Sequence, residues 1–213
     1  MSFHHSPRIV TDGLIMCLDA TSKKSYSGTG STWTDISNNG NNGTLNGTYS
    51  LTTVENAQGI LFTNGSLPVS YLIQNNTINF RTISMWYNRR SGAYGSEYIL
   101  DTRPIMTGGY LWHGGFGPDW DPCTVYQNGQ DISTGKILNS LIGYETGLLS
   151  IGGWRNVTIV AKQNFTSTIN FFSRFSNNEA PSVALPHVTV YNKALSPDEI
   201  LQNYNALKGR FGL

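Results

Sequence analysis

The sequence predicts an all-β fold: two packed antiparallel sheets with one short C-terminal helix. Three observations predict it. Apolar and polar residues alternate with a period of two in several short segments, as half-buried strands require. Turn formers separate those segments; the chain holds 23 glycines among many Asn, Ser and Thr residues, which favours turns over long surface helices. One segment alone, near the end, carries helical start signals and helical spacing. At 213 residues the chain suits one large sandwich rather than two small domains. That length is enough to bury about 70% of the unfolded surface.

In chain order, Gly13 to Leu18 is a short apolar run that reads as a buried strand. Leu67 to Ile73 follows the turn signal Asn64-Gly65. In Thr82 to Tyr87 the alternation puts Ile83, Met85 and Tyr87 on one face and Ser84 and Trp86 on the other. Glu97 to Asp101 is a further short strand. In Trp154 to Lys162, Val157, Ile159 and Ala161 share a face opposite Thr158, Val160 and Lys162. Thr168 to Phe172 and Leu185 to Tyr191 complete the set, and many short strands between turns predict a sandwich or barrel. The helix starts at Ser196, with Pro197 at its first position and Glu199 completing a capping box. Ile200, Tyr204 and Leu207 then form its apolar face, with Gly209 as the stop. Such a helix must dock on the sandwich, because short helices are marginal alone. No linker or repeat divides the chain, so residues 9–213 read as one domain behind an N-terminal arm, residues 1–8.

Charge excludes several functions. The formal net charge is +1 and only 13% of residues are charged, without a basic run, which argues against nucleic acid and anionic membranes as partners. Uncharged ligands or a protein surface fit better. Aromatics make up 12% of the chain and are spread along it, which argues against disorder. No stretch approaches the roughly 20 apolar residues of a membrane-spanning helix. The start, Met1 to Arg8, lacks the apolar region of a signal peptide. Cys17 reads as a buried small hydrophobe, and two cysteines in a domain of this size do not make a disulfide framework. His4, His5, His113 and His187 have no partner at metal-binding spacing, and His187 reads as structural.

Three segments carry candidate chemistry. The loop Asp35 to Thr44 offers hard oxygen ligands at Asp35, Asn38 and Asn41, suited to Ca²⁺. The alternative is a loop whose Asn and Gly residues supply left-handed backbone. The segment Tyr110 to Asp121 sets Tyr110, Trp112 and Trp120 beside His113, Asp119 and Asp121. Aromatic rings stack on sugar C–H faces while carboxylates accept hydroxyls, so these six residues are candidate glycan ligands. The alternative is a packed loop or a subunit contact, where Trp and Tyr are also enriched. The arm, with Phe3, His4, His5 and Pro7, lacks a strand pattern and is a candidate for assembly by strand addition to a neighbouring subunit.

Six segments together resemble the laminin-G-like, concanavalin A-like jelly rolls of tailed-phage virion proteins of the cyanophage type. They are Ile9 to Ala20, Trp33 to Leu45, Thr82 to Trp86, Glu97 to Arg103, Val125 to Gly129, and Val188 to Ser196 running into the capped helix and Gly209 to Leu213. Tyr126-Gln127-Asn128-Gly129 precedes Trp154, an order similar to the phage subtype. The resemblance implies a jelly-roll β-sandwich in a non-enzymatic virion structural protein, a capsid decoration or tail-associated surface protein. Its partners would be other virion proteins and copies of itself, and it would be made in the host cytoplasm. The alternative function is a carbohydrate-binding adhesion module for host-surface or environmental glycans. Relatives of the fold often carry calcium. Jelly-roll glucanases carry paired carboxylates as Glu-x-Asp-x-x-Glu, a string that this sequence lacks. Nor does it hold a nucleophile elbow, a phosphate loop or a dinucleotide fingerprint.

Overall fold

The computed structural model describes residues 7–63, 70–91, 98–102, 110–112, 115–116, 123–133, 150–173 and 181–213. The chain is an all-β jelly-roll-type sandwich with one C-terminal helix. Hydrogen bonds join its strands into one antiparallel sheet that curls over on itself. Two long strands make this possible, β6 (Tyr71–Ser91) and β12 (Arg155–Phe171). The first half of β6 pairs with β3 (Gly43–Asn46), and its second half with β13 (Ser182–Tyr191). β12 follows β6 along both halves, with register breaks between Val160 and Phe165 and between Ser167 and Ile169. Breaks of this kind bend a strand and let it pass from one layer to the next. The expected strands at Trp154–Lys162 and Thr168–Phe172 are therefore one strand. Lys162, Gln163 and Asn164 are exposed in succession at its bend, which interrupts the alternation.

The curl closes over a core shared by both layers. Gly43 of β3 shows how tightly. A Cβ there would sit 2.5 Å from a methyl of Leu72 and 3.1 Å from one of Leu18, which belongs to β1 (Leu14–Asp19). Sequence reading missed β3, its partner β2 (Thr32–Trp33), and the hairpin of β4 (Tyr49–Val54) and β5 (Ala57–Phe62). The hairpin turns through Glu55-Asn56, with Glu55 at φ 54°, so no glycine marks it. The strand β10 (Cys123–Gln127) turns into β11 (Gln130–Asp131) through Asn128 and Gly129, both at positive φ, as a tight hairpin demands.

Registers run straight across five strands. Met16, Val190, Ile83, Ile159 and Val125 form one row through β1, β13, β6, β12 and β10, and all point into the core. One residue along, Cys17, Thr189, Ser84, Thr158 and Tyr126 form the next row, on the outer face. Asp19, His187, Trp86 and Asn156 form another outer row. This face is buried too, because the C-terminal helix lies on it. Trp86 stacks on Phe211 with centroids 4.1 Å apart and on Tyr204 at 5.6 Å.

That helix, α1 (Pro197–Leu207), begins as its sequence predicts. The Ser196 hydroxyl accepts the Glu199 N–H, and the Glu199 carboxylate accepts the Ser196 N–H. A cap of this type is worth about 1 kcal/mol. Ile200 and Leu207 are buried against the sheet, and so is Asn203. Asn203 donates to the Tyr191 hydroxyl at 3.0 Å and accepts the Val10 N–H at 2.8 Å, while that hydroxyl donates to the Val10 carbonyl. The apolar-face pattern gave no hint of this polar clamp. Gly209 is not the stop. The helix tightens into a 3-10 turn, Lys208–Phe211, and Gly212 at φ 73° ends it. A Cβ at Gly212 would sit 2.4 Å from the Asn56 amide nitrogen, the end of an exposed side chain that can swing aside, so the positive φ is what favours glycine there.

Candidate functional site

The clearest site forms where β13 changes partner. Along one edge of β13, Val183 to Leu185 pair with β5 and His187 to Tyr191 pair with β1. Pro186 sits between and has no N–H to donate. Gly59 lets β5 approach that point, since a Cβ there would lie 3.2–3.3 Å from the Leu185–Pro186 backbone. β1 and β5 cannot both continue along the same edge, so they part. The gap is a cleft of about 410 Å³ lined by Asp19, Thr21, Asn56, Gln58, His187 and Arg210, with Pro186 and Phe211 as its apolar wall.

The polar groups come from four elements. Asp19 ends β1, and its Oδ1 accepts both the N–H (2.9 Å) and the hydroxyl (2.7 Å) of Thr21. Arg210, on the 3-10 turn, donates from Nη1 to Asp19 Oδ2 at 2.8 Å. Asn56 and Gln58 come from the β4–β5 hairpin and are exposed. His187 lies beneath, only 4% exposed. Burial drives its pKa down to about 4 against the pull of Asp19, so it stays neutral at physiological pH. Burial alone would raise the Asp19 pKa, but His187, the Thr21 hydroxyl and Arg210 together hold it below the usual carboxylate range.

Cys17 lies 3.8 Å from His187 Nε2, a pairing that invites a nucleophile reading. The chemistry does not follow. Burial, reinforced by Asp19 and Asp35, pushes the thiol up to about 12, and the imidazole beside it resists protonation. A protonated thiol is not the nucleophile, and an imidazole that will not take a proton is a poor base. Cys17 and Cys123 are both free and buried.

On the far side of Arg210 is a second hollow, also about 410 Å³, lined by Arg8, Ile9, Cys17, Ile36, Leu207 and Arg210 among others. It reaches the arm. Pro7 is exposed, the Arg8 carbonyl accepts from Gln202 of α1 at 2.7 Å, and Ile9 packs on the outer-face cluster. The chain is thus held to its own helix from Arg8 onward. Phe3, His4 and His5 lie outside the described residues. A third, more open groove of about 680 Å³ runs past Tyr26, Gly28, Gly30, Gly47, Tyr49 and Leu51. Both tyrosine hydroxyls there donate to the Gly30 carbonyl, at 3.0 and 3.3 Å.

The residues expected from sequence fall elsewhere. Tyr110 and Trp112 lie in the strand β8 (Tyr110–Trp112), toward the opposite end of the sheet order from β5. His113, Asp119, Trp120 and Asp121 lie outside the described residues. Asp35, Asn38 and Asn41 do share one loop, but the oxygens of Asp35 and Asn41 are committed. Asp35 accepts the N–H groups of Cys17, Ser37 and Asn41 and the Ser37 hydroxyl, four donors for a carboxylate's four lone-pair positions. Asn41 Oδ1 accepts from Asn76. Asn38 is exposed and adopts φ 69°. The set fits a loop organised around Asp35 and does not fit a calcium site, which would need those oxygens free. Among the described residues no cluster of three His, Cys, Asp or Glu side chains could hold a metal. Thr21, Asn56, Gln58 and Arg210 carry no motif, and sequence reading missed them as a site.

No family model matches the chain, and no curated protein matches its sequence. Solved structures match its fold. The binding domain of botulinum neurotoxin DC, in complex with SialylT, is 15% identical with a TM-score of 0.56, over 92% of this chain and 52% of that one. The binding domain of Paraclostridial Mosquitocidal Protein 1 is 19% identical with a TM-score of 0.56, over 92% and 52%. A Trypanosoma rangeli sialidase mutant with trans-sialidase activity is 14% identical with a TM-score of 0.57, over 96% and 34%. The chain thus spans about half the length of the toxin binding domains and a third of the sialidase. At these identities the likeness is one of fold.

Proposed function

We propose that this domain is a non-enzymatic glycan-binding module and that the cleft between β1, the β4–β5 hairpin and the 3-10 turn is its binding site. The observation that carries the reading is the convergence of Asp19, Thr21, Asn56, Gln58 and Arg210 from three elements into one concave space beside Pro186 and Phe211. Sugars present hydroxyls that both donate and accept, and a few fixed polar groups in a partly apolar hollow is how such ligands are bound. The amides of Asn56 and Gln58 supply both roles. The fold agrees, since the structures it resembles include toxin binding domains, one in complex with SialylT and another in complex with rat synaptotagmin II. The neutral His187 and protonated Cys17 support binding rather than catalysis. The virion setting implied by the six resembling segments would place such a module on a particle surface.

The test is a glycan array, followed by calorimetry on the hits. The double variant Asn56→Ala/Gln58→Ala should weaken binding at least about tenfold, the worth of one to two hydrogen bonds. The variants Trp112→Ala and Trp120→Ala should leave it intact. Loss of binding in the tryptophan variants alone would move the site to the Tyr110–Asp121 segment. An array without hits would defeat the reading.

A further inference from the structure

We infer that the cleft selects an acidic sugar, one whose carboxylate or sulfate is taken by the free edge of Arg210 while its hydroxyls meet Asn56 and Gln58. The inference rests on the glycan-binding reading above and gives it a ligand class.

Arg210 is only partly used. Its Nη1 holds Asp19 at 2.8 Å and lies 3.4 Å from the Thr21 hydroxyl, while its Nε and Nη2 donate to no described residue. The side chain is 46% exposed and lines both hollows, and the exposed Asn56 and Gln58 line the first of them with it. A guanidinium presents those donors as a rigid fork matched to two oxygens of one oxyanion. The Asp19 bond fixes the fork before any ligand arrives, which lowers the ordering cost of binding.

The charges around the cleft agree. Asp19 would repel an anion, but its Oδ1 accepts two bonds from Thr21, its Oδ2 accepts Arg210, and its side chain is only 10% exposed. Arg8 adds a second cation on the neighbouring hollow, and the buried His187 contributes no charge at neutral pH. The two hollows are thus lined by two arginines against one satisfied carboxylate. The groove at Tyr26 and Tyr49 has no charged lining residue and no comparable donor.

The experiment uses the full chain on an array of neutral, carboxylated and sulfated glycans. Each acidic hit is then compared by calorimetry with its methyl ester or desulfated analogue. Hits should be acidic, and neutralising the acidic group should cost about tenfold or more, as expected for charge-assisted hydrogen bonds. Arg210→Lys, which keeps the charge but loses the fork, should cost a similar factor, with its folding checked by thermal melting. The analogue comparison needs no variant, so it stands even if Arg210→Lys destabilises the turn. Carboxylated hits without sulfated ones, or the reverse, identify which oxyanion fits. Neutral hits that are lost in Asn56→Ala/Gln58→Ala would overturn the acidic class and leave the binding site in place. Hits that no cleft variant weakens, or no hits at all, would overturn both.

Discussion

Two rows one residue apart on the same five strands divide the labour of this sheet. Met16, Val190, Ile83, Ile159 and Val125 are all apolar and face the core. Cys17, Thr189, Ser84, Thr158 and Tyr126 face outward and are buried as well, and the Ser84 and Thr158 hydroxyls bond to each other at 2.7 Å. Burial alone therefore does not distinguish the faces. The inner face is stabilised by the packing of interchangeable hydrophobes. The outer face carries fixed polar partners, and the cleft opens at its edge.

If that contrast is right, neighbouring substitutions should behave differently. Ile159→Ala should cost about 2–5 kcal/mol, because it removes three buried carbons and leaves a cavity in a closed core. Thr158→Val, the next residue, keeps the volume but leaves the Ser84 hydroxyl without its 2.7 Å partner. Ser84 still accepts from Asn156 at 3.2 Å, so the cost should be only about 1 kcal/mol. Urea melts of both variants check this. Equal losses would mean that the outer face is packed as hard as the core.

The outer face should also be the pH-sensitive one. His187 has a pKa of about 4 in the folded chain against 6.5 for an unperturbed imidazole. Below pH 6.5 the unfolded chain takes up a proton that the folded chain refuses, so stability falls with falling pH and the loss levels off near pH 4. Each pH unit costs about 1.4 kcal/mol, for a total of about 3 kcal/mol. Asp19, held below the usual carboxylate range, adds a loss of the same sign at lower pH. Urea melts at pH 7, 5.5 and 4.5 should show this slope, and His187→Gln should flatten it. An unchanged slope in that variant would place the titration elsewhere.

The same contrast explains what could be read from sequence. Ile83 and Ile159 of the inner row were legible because alternation marks them directly: Ile83 and Met85 against Ser84 and Trp86, and Val157 and Ile159 against Thr158. The helix was legible because Ser196, Pro197 and Glu199 form a local signal. The bend in β12 was not, since Lys162 to Asn164 look like a strand's end. Neither was the cleft. Asp19, Asn56, Gln58 and Arg210 come from three separated stretches, and only the handover of β13 from β5 to β1 at Pro186 brings them together. Pro186 inside an otherwise regular strand was the one visible sign of that handover.

The smallest expected effect concerns Asp35, the second carboxylate beside Cys17. Asp19 faces a cleft and shares its charge with an exposed arginine, whereas Asp35 is 7% exposed and surrounded by donors from its own loop and from β1. A cation could reach Asp35 only by breaking bonds that organise the loop. Calcium bound at a hundred times its dissociation constant would stabilise the fold by about 2.7 kcal/mol. In a domain of this size that would raise Tm by about 5–10 °C. We expect no such shift between millimolar calcium and excess chelator. By contrast, Asp35→Ala should destabilise markedly under both conditions, because four donors lose their acceptor at once. A chelator-sensitive Tm that Asp35→Ala abolishes would show that the loop rearranges around calcium, and Asp35 would then be a ligand rather than the centre of a self-contained turn.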